Sequence, residues 1–252
     1  MNWAALSKEL YRLAATLAGA AVVYWLLHQT GLYVLTAGEA EALNTLILLL
    51  GSIYAVMFAF IIFVIWGQFT GVEDLSMRES SALKDLVRFS AYLDGDASHA
   101  IRRAVFDYAQ SVVKFEWYAL AARRRDQQTE KAFANLMNTV IRSVTARDAN
   151  AADPIHHRVV EIAREAGQRR DERIAKSLTQ IPPTLVRLVK SMALAPLLLV
   201  FVYPFRNWIV GLSCFILVAG VLFFADFVMM DTDNPFEGVC NVSSTPFSDL
   251  LL

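Results

Sequence analysis

Of the ionisable residues, Asp226 has the most demanding position: it lies near the end of an otherwise uncharged run over 207–230. A carboxylate at membrane depth is costly unless it faces protein or water; about one turn before the end of its run, it either reaches headgroup level as an interfacial acid or pairs with Arg187 or Lys190 at the same depth. At the start of another apolar run stand Glu39, Glu41 and Asn44, with Thr45 beside them. Carboxylates at a mouth attract cations, and an amide can replace part of an ion's water shell. From Asn44 inward, Leu48, Ser52, Val56, Phe60 and Val64 recur every four residues, a stripe that begins polar and turns apolar. A stripe of this kind can line a water path that gates by dewetting; the plainer alternative is that Phe60 packs between helices.

Other chemistry is poorly represented. The sequence has no Gly-rich phosphate loop, no GxSxG, no HExxH and no paired Cys-x-x-Cys, so an enzyme is not expected. His156 and His157 are adjacent, and adjacent positions on a helix point about 100° apart, which suits a surface better than a shared metal ion. Arg123, Arg124 and Arg125 are flanked by Asp126 and Glu130 and read as a solvated helix end, not a nucleic-acid or lipid patch. Cys214 and Cys240 lie in settings too different to form a framework. Asn241-Val242-Ser243 fits a glycosylation acceptor, but on the expected topology it is cytoplasmic and a chance match. Neither a cofactor nor a bound metal is expected.

These residues must be positioned by membrane spans. Over 42–69 there is no charge for about 28 residues, enough to cross a bilayer of ~30 Å with some tilt. The run over 207–230 is a second clear span. A weaker one covers 13–35, and 191–205 is short but extends back to 185 if Arg187 and Lys190 snorkel. The 13–35 run is too long for a signal-peptide core and no small-residue cleavage site follows it, so it is read as retained. The chain is 56% hydrophobic yet has 23 basic and 24 acidic residues, so charge and apolar surface are segregated. Between 67 and 190 there are 20 Lys and Arg against 16 Asp and Glu. The basic excess places that region, and with four spans both termini, in the cytoplasm; the loop over 36–41, acidic and without a base, lies outside. The division is 1–70, first transmembrane pair; 71–184, cytoplasmic domain; 185–231, second pair; 232–252, tail.

The central region is expected to be helical, because between 71 and 180 Pro154 is the only proline and glycines are few. Leu83, Leu86, Val87 and Ala91 fall on one face of a first helix that continues out of the second span. Ile101, Val105, Tyr108, Val112 and Phe115 do so on a second, which begins after Asp94-Gly95-Asp96 with Asp96 or Ser98 as cap. A third helix covers 129–147, and a fourth runs from Pro154 through Leu178 with Asp153 as cap. Its Arg158, Glu161, Arg164 and Glu165, and the stretch from Arg169 to Arg173, read as a solvated face of spaced ion pairs. Glu116 and Trp117 are expected to be partly buried, since an acid in an apolar stretch needs a cation or donors.

Several separated motifs resemble those of a bacterial bestrophin-like family whose chains share this two-plus-two layout. They are Leu49-Leu50-Gly51; Trp66-Gly67-Gln68-Phe69; the segment 108–117 ending in Glu116-Trp117; Arg173-Ile174-Ala175-Lys176-Ser177 running to Ile181-Pro182; and Asp233-Asn234-Pro235-Phe236-Glu237-Gly238. Their order and spacing cover most of the chain. The resemblance implies an all-α membrane protein in the bacterial inner membrane, one subunit of a homo-oligomeric ring, typically a pentamer, whose second spans line an ion pore. By position Ser52, Val56 and Phe60 resemble the bestrophin neck; Asn44, with Glu39 and Glu41 next to it, is placed at the outer mouth by its position at the start of the span. In the last motif the chain departs from bestrophins: Asn234 stands where they have an acid, and Glu237 is inserted. A cation-binding tail then falls to the oxygens of Asp231, Asp233 and Glu237.

The expected function is an oligomeric, cation-leaning ion channel, with inorganic ions and the bilayer as partners. The alternative is a membrane-anchored scaffold or regulatory protein acting through its cytoplasmic helices. A transporter ranks last, because Pro196 is the only proline well inside a span and no repeated halves are visible.

Overall fold

The computed structural model describes residues 11, 18–19, 21–26 and 36–251, apart from 146–153, 204 and 239. In chain order its elements from residue 37 on are α1 (Ala37–Ser90), α2 (Gly95–Ser111), a π-helical turn (Val112–Glu116), α3 (Trp117–Ala121), α4 (Gln127–Thr145), α5 (Pro154–Leu178), α6 (Pro183–Val202), α7 (Trp208–Thr232) and α8 (Thr245–Ser248). Among the described residues there is no strand.

Three of these helices, over Gly38–Ser90, Pro183–Val202 and Trp208–Thr232, are long and apolar enough to cross a membrane. The expected span over 13–35 lies largely outside the described residues, of which 21–26 are helical. Contrary to the expected loop over 36–41, α1 starts at Ala37. The cause is local: Thr36 N donates to Glu39 Oε2 at 2.7 Å and Glu39 N to Thr36 Oγ1 at 3.4 Å, a capping box that satisfies both orphan donors. Helix α6 follows Pro182 with Pro183 in its first turn. Asn207 caps α7, its Oδ1 accepting from Ile209 N at 3.0 Å.

The chain divides into two compact units, Met1–Trp66 with Ile181–Asp233, and Gly67–Gln180 with Asn234–Leu252. In the first, Ile61 and Ile65 of α1 are buried with Ile181, Val189 of α6 and Met229 of α7. Tyr24 meets Phe201 edge-on at 5.6 Å, and Phe201 meets Phe215 at 5.2 Å. Glycine is required at 211, where a Cβ would collide with the Tyr24 hydroxyl and the Phe205 ring.

In the second unit, Leu83 and Leu86 of α1 pack with Ile101, Tyr108, Leu136 and Val159 from α2, α4 and α5. The cap position of α2 is Asp94, not Asp96 or Ser98, and it works through its carbonyl, which accepts from Ser98 N at 2.8 Å. Asp126 caps α4, its Oδ2 accepting from Thr129 N at 2.7 Å. Helix α5 begins at Pro154 as expected, while Asp153 lies outside the described residues. One register differs from expectation: Ile101, Val105, Tyr108 and Val112 are buried, but Phe115 is 39% exposed and Glu116 takes its place. The π-turn explains this, because its i→i+5 spacing adds a residue to the turn and carries position 116 onto the buried face.

Candidate functional site

Along α5 the inward face is Val159, Ile162, Ala166, Arg170, Arg173 and Ser177, a helical repeat that is apolar at first and then carries two guanidinium groups inside. Arg170 and Arg173 are fully buried, contrary to the solvated face expected for 169–173. Arg169, Asp171 and Glu172 keep to that expectation, Asp171 being exposed and Arg169 pairing outward with Glu165 at 3.6 Å and Glu172 at 3.3 Å.

Three carboxylates meet the two arginines. Arg173 Nε lies 2.7 Å from Glu79 Oε2 and its Nη2 2.5 Å from Glu116 Oε1. Arg170 Nη2 lies 3.1 Å from Glu116 Oε2 and 3.1 Å from Glu130 Oε1. Tyr108 completes the group by donating to Glu79 Oε1 at 2.5 Å. Aromatic faces close it: Arg173 stands 5.6 Å over Trp117 and 5.3 Å over Phe247, and Arg170 5.0 Å over Phe133. Trp117, half-buried, donates its indole N–H to Val242 O at 3.0 Å. The expectation for Glu116 and Trp117 therefore holds, with the arginines as the required cations.

The electrostatics follow from this geometry. Burial, reinforced by Glu79 and Glu116 and opposed by the arginines, raises the Tyr108 phenol well above its ordinary 10.0. Burial acts to lower both guanidinium groups, but Tyr108 and Glu116, with Glu130 at Arg170 and Glu79 at Arg173, outweigh it and hold them above the usual value. Charges paired this closely, all but the partly exposed Glu130 shielded from water, join α1, the π-turn, α4 and α5 as a brace. Arg170 and Arg173 were missed in the sequence because only position distinguishes them from the exposed arginines; their i, i+3 phase with Val159, Ile162 and Ala166 was the available signal.

In the membrane-spanning unit, Lys190 Nζ lies 3.2 Å from Asp226 Oδ1, whereas Arg187 turns back to donate to Pro183 O at 3.3 Å. Ser52, Val56 and Phe60 are exposed, the last two by 70% and 59%. Ser52 Oγ donates to Leu48 O at 2.7 Å, so the hydroxyl is satisfied within its own helix. Val56 and the buried Ile65 are about two and a half turns apart, hence on opposite faces of α1. Glu39, Glu41 and Asn44 are exposed at its start, Glu39 held by Thr36.

Two of the tail acids accept hydrogen bonds. Asp233 Oδ1 accepts from Ile181 N at 3.4 Å, and Glu237 Oε2 accepts from Asn234 Nδ2 at 3.3 Å. Asn234 Nδ2 also donates to Ala121 O at 2.8 Å, anchoring the segment to the end of α3. Among the described residues no group of three or more His, Cys, Asp or Glu side chains is placed to hold a metal ion.

A family model for a Bestrophin-like domain matches residues 14–247. No curated protein matches the chain. The fold is similar to the crystal structure of a bacterial bestrophin homologue from Klebsiella pneumoniae, with a TM-score of 0.70 at 14% identity over 96% of this chain and 98% of that one. It is similar also to a crystal structure of a mutated membrane protein, with a TM-score of 0.70 at 16% identity over 97% and 98% of the two chains. At such identities the likeness establishes the fold.

Proposed function

We propose, since the chain belongs to the Bestrophin-like domain family, that it is one subunit of a ring-shaped ion channel, a pentamer by preference, whose pore is lined by α1. The observation that carries this reading is the uncovered face of α1. Ser52, Val56 and Phe60 point away from the side on which Ile61 and Ile65 pack, and they lie within an uncharged stretch long enough to cross the bilayer. A ring of such helices would place one narrow stripe per subunit around an axis, with Phe60 as the bulkiest constriction and Val56 beside it in a neck that gates by dewetting. Glu39 and Glu41, with Asn44, would then stand at the outer mouth and bias the field towards cations.

The basic excess between 67 and 190 supports an inner-membrane topology with the helical unit and the tail in the cytoplasm. A scaffold reading has one observation in its favour: Tyr92 and Tyr118 of the helical unit are 73% and 74% exposed, as residues that meet a partner would be. Two measurements separate the readings. The mass of the protein in mild detergent should correspond to a ring, and vesicles containing it should pass monovalent cations. A monomer would end the channel reading in this form, and a ring through which no ion passes would leave the scaffold.

A further inference from the structure

Between α1, α6 and α7 the membrane-spanning unit forms an open cleft of about 340 Å³. Its polar side chains are Lys190 and Asp226, 3.2 Å apart, and Tyr54 of α1, which lies within electrostatic reach of Asp226. The remainder is apolar and elongated: from Met229 to Phe215 the wall follows α7 for about 21 Å, faced by Leu194 and Leu197 of α6. Lys190 and Asp226 each lie about 10 Å in from the helix ends that adjoin the polar region in sequence, a depth at which a charged side chain can reach the headgroups. Both remain accessible, at 48% and 39%.

We infer that this cleft is a phospholipid site selective for a zwitterionic headgroup with a primary amine, one acyl chain lying along Leu194, Leu197, Leu222 and Phe223. The charge pattern selects the head. A lone anionic head drawn to Lys190 meets Asp226, and a lone cation drawn to Asp226 meets Lys190. A phosphate and an ammonium on one molecule satisfy both, converting the pair into four alternating charges. The primary amine matters because the Asp226 carboxylate can only accept hydrogen bonds, and a quaternary ammonium has none to donate. Phosphatidylethanolamine of the adjacent leaflet has this chemistry. The assignment is independent of conduction, since it uses a wall of α1 opposite the Val56 face.

The test is native mass spectrometry of the full-length protein, released from mild detergent after incubation with an equimolar mixture of phosphatidylethanolamine, phosphatidylcholine and phosphatidylglycerol of matched chains. The wild type should retain phosphatidylethanolamine over the other two by roughly tenfold, the difference made by about one charge-assisted hydrogen bond. Asp226→Asn should reduce it to the phosphatidylcholine level. The exchanged pair, Lys190→Asp with Asp226→Lys, should keep the preference and so controls for folding. Leu222→Trp should fill the apolar part and abolish retention of all three without changing the number of subunits in the particle. Equal retention of phosphatidylglycerol, or retention unaltered by Leu222→Trp, would overturn the assignment. So would a wild type that holds no lipid while Leu194→Cys cross-links two copies, which would give the cleft to a second subunit.

Discussion

Arg173 Nη2 lies 2.5 Å from Glu116 Oε1 across 57 residues of sequence, and neither side chain reaches water. Two buried charges in a good geometry only roughly offset their own desolvation, so the pair is weak as a source of net stability. Removing one member is a different matter, because the other is left charged and alone. Arg173→Met should therefore destabilise the helical unit by about 3–5 kcal/mol, while Arg173→Met combined with Glu116→Met should recover part of that loss. Thermal unfolding of the full-length protein in detergent, followed by circular dichroism, measures both; equal melting temperatures for wild type and Arg173→Met would remove the brace from the account.

Tyr108 gives the same cluster a pH signature. Its phenol is raised well above the ordinary 10.0, so the folded state favours the neutral form more than the unfolded state does. The associated stability is complete below about pH 10 and is lost as the pH rises through the folded value. Alkaline unfolding should accordingly be shallower in Tyr108→Phe, although that variant is less stable at neutral pH by about 1 kcal/mol because Glu79 loses the Tyr108 donor and keeps only Arg173. Unfolding curves measured on both proteins between neutral pH and pH 11 decide it, and parallel curves would refute the assignment.

The elements of the helical unit were largely legible in the sequence because periodicity and breakers agreed: α5 runs from Pro154 to Leu178, and α1 continues from the membrane through Leu86. The start of α1 was not, since apolar counting ignores the Thr36–Glu39 capping box that adds a turn of polar residues. Nor was the burial of Glu116, because a π-turn alters the phase by one residue without a compositional mark. The arginines were misread for a related reason: a charge run looks solvated until the face on which each member falls is counted from the apolar positions before it. The Lys190–Asp226 pair was accessible to reasoning about depth, and the distinction from Arg187 was not, because it depends on a carbonyl of the same helix.

Gly211 gives a prediction for the membrane-spanning unit. A side chain there would meet the Tyr24 hydroxyl and the ring of Phe205, so the docking of residues 21–26 on α7 depends on the missing Cβ. Gly211→Val should cost about 1–3 kcal/mol through overpacking and loosen that segment. Faster proteolysis within 18–26 in the variant, at an unchanged rate elsewhere, is the expected result; an unchanged pattern would show that Tyr24 gives way freely.

Conduction provides the last prediction. If Ser52, Val56 and Phe60 line the neck, Phe60→Ala widens and wets it, and flux through reconstituted vesicles should rise. The entrance is tested by Glu39→Gln with Glu41→Gln. Glutamine can still close the capping box with Thr36, so the first variant removes charge while keeping the start of α1. Cation preference should then fall, and fall most at about 0.01 M salt, where the screening length is about 30 Å and the two charges act over the whole mouth. At about 1 M salt, where it is about 3 Å, wild type and double variant should converge. A difference that persists at high salt would mean that the carboxylates bind ions directly instead of setting a field. Unchanged flux in Phe60→Ala, in a protein that conducts, would place the neck on another face of α1.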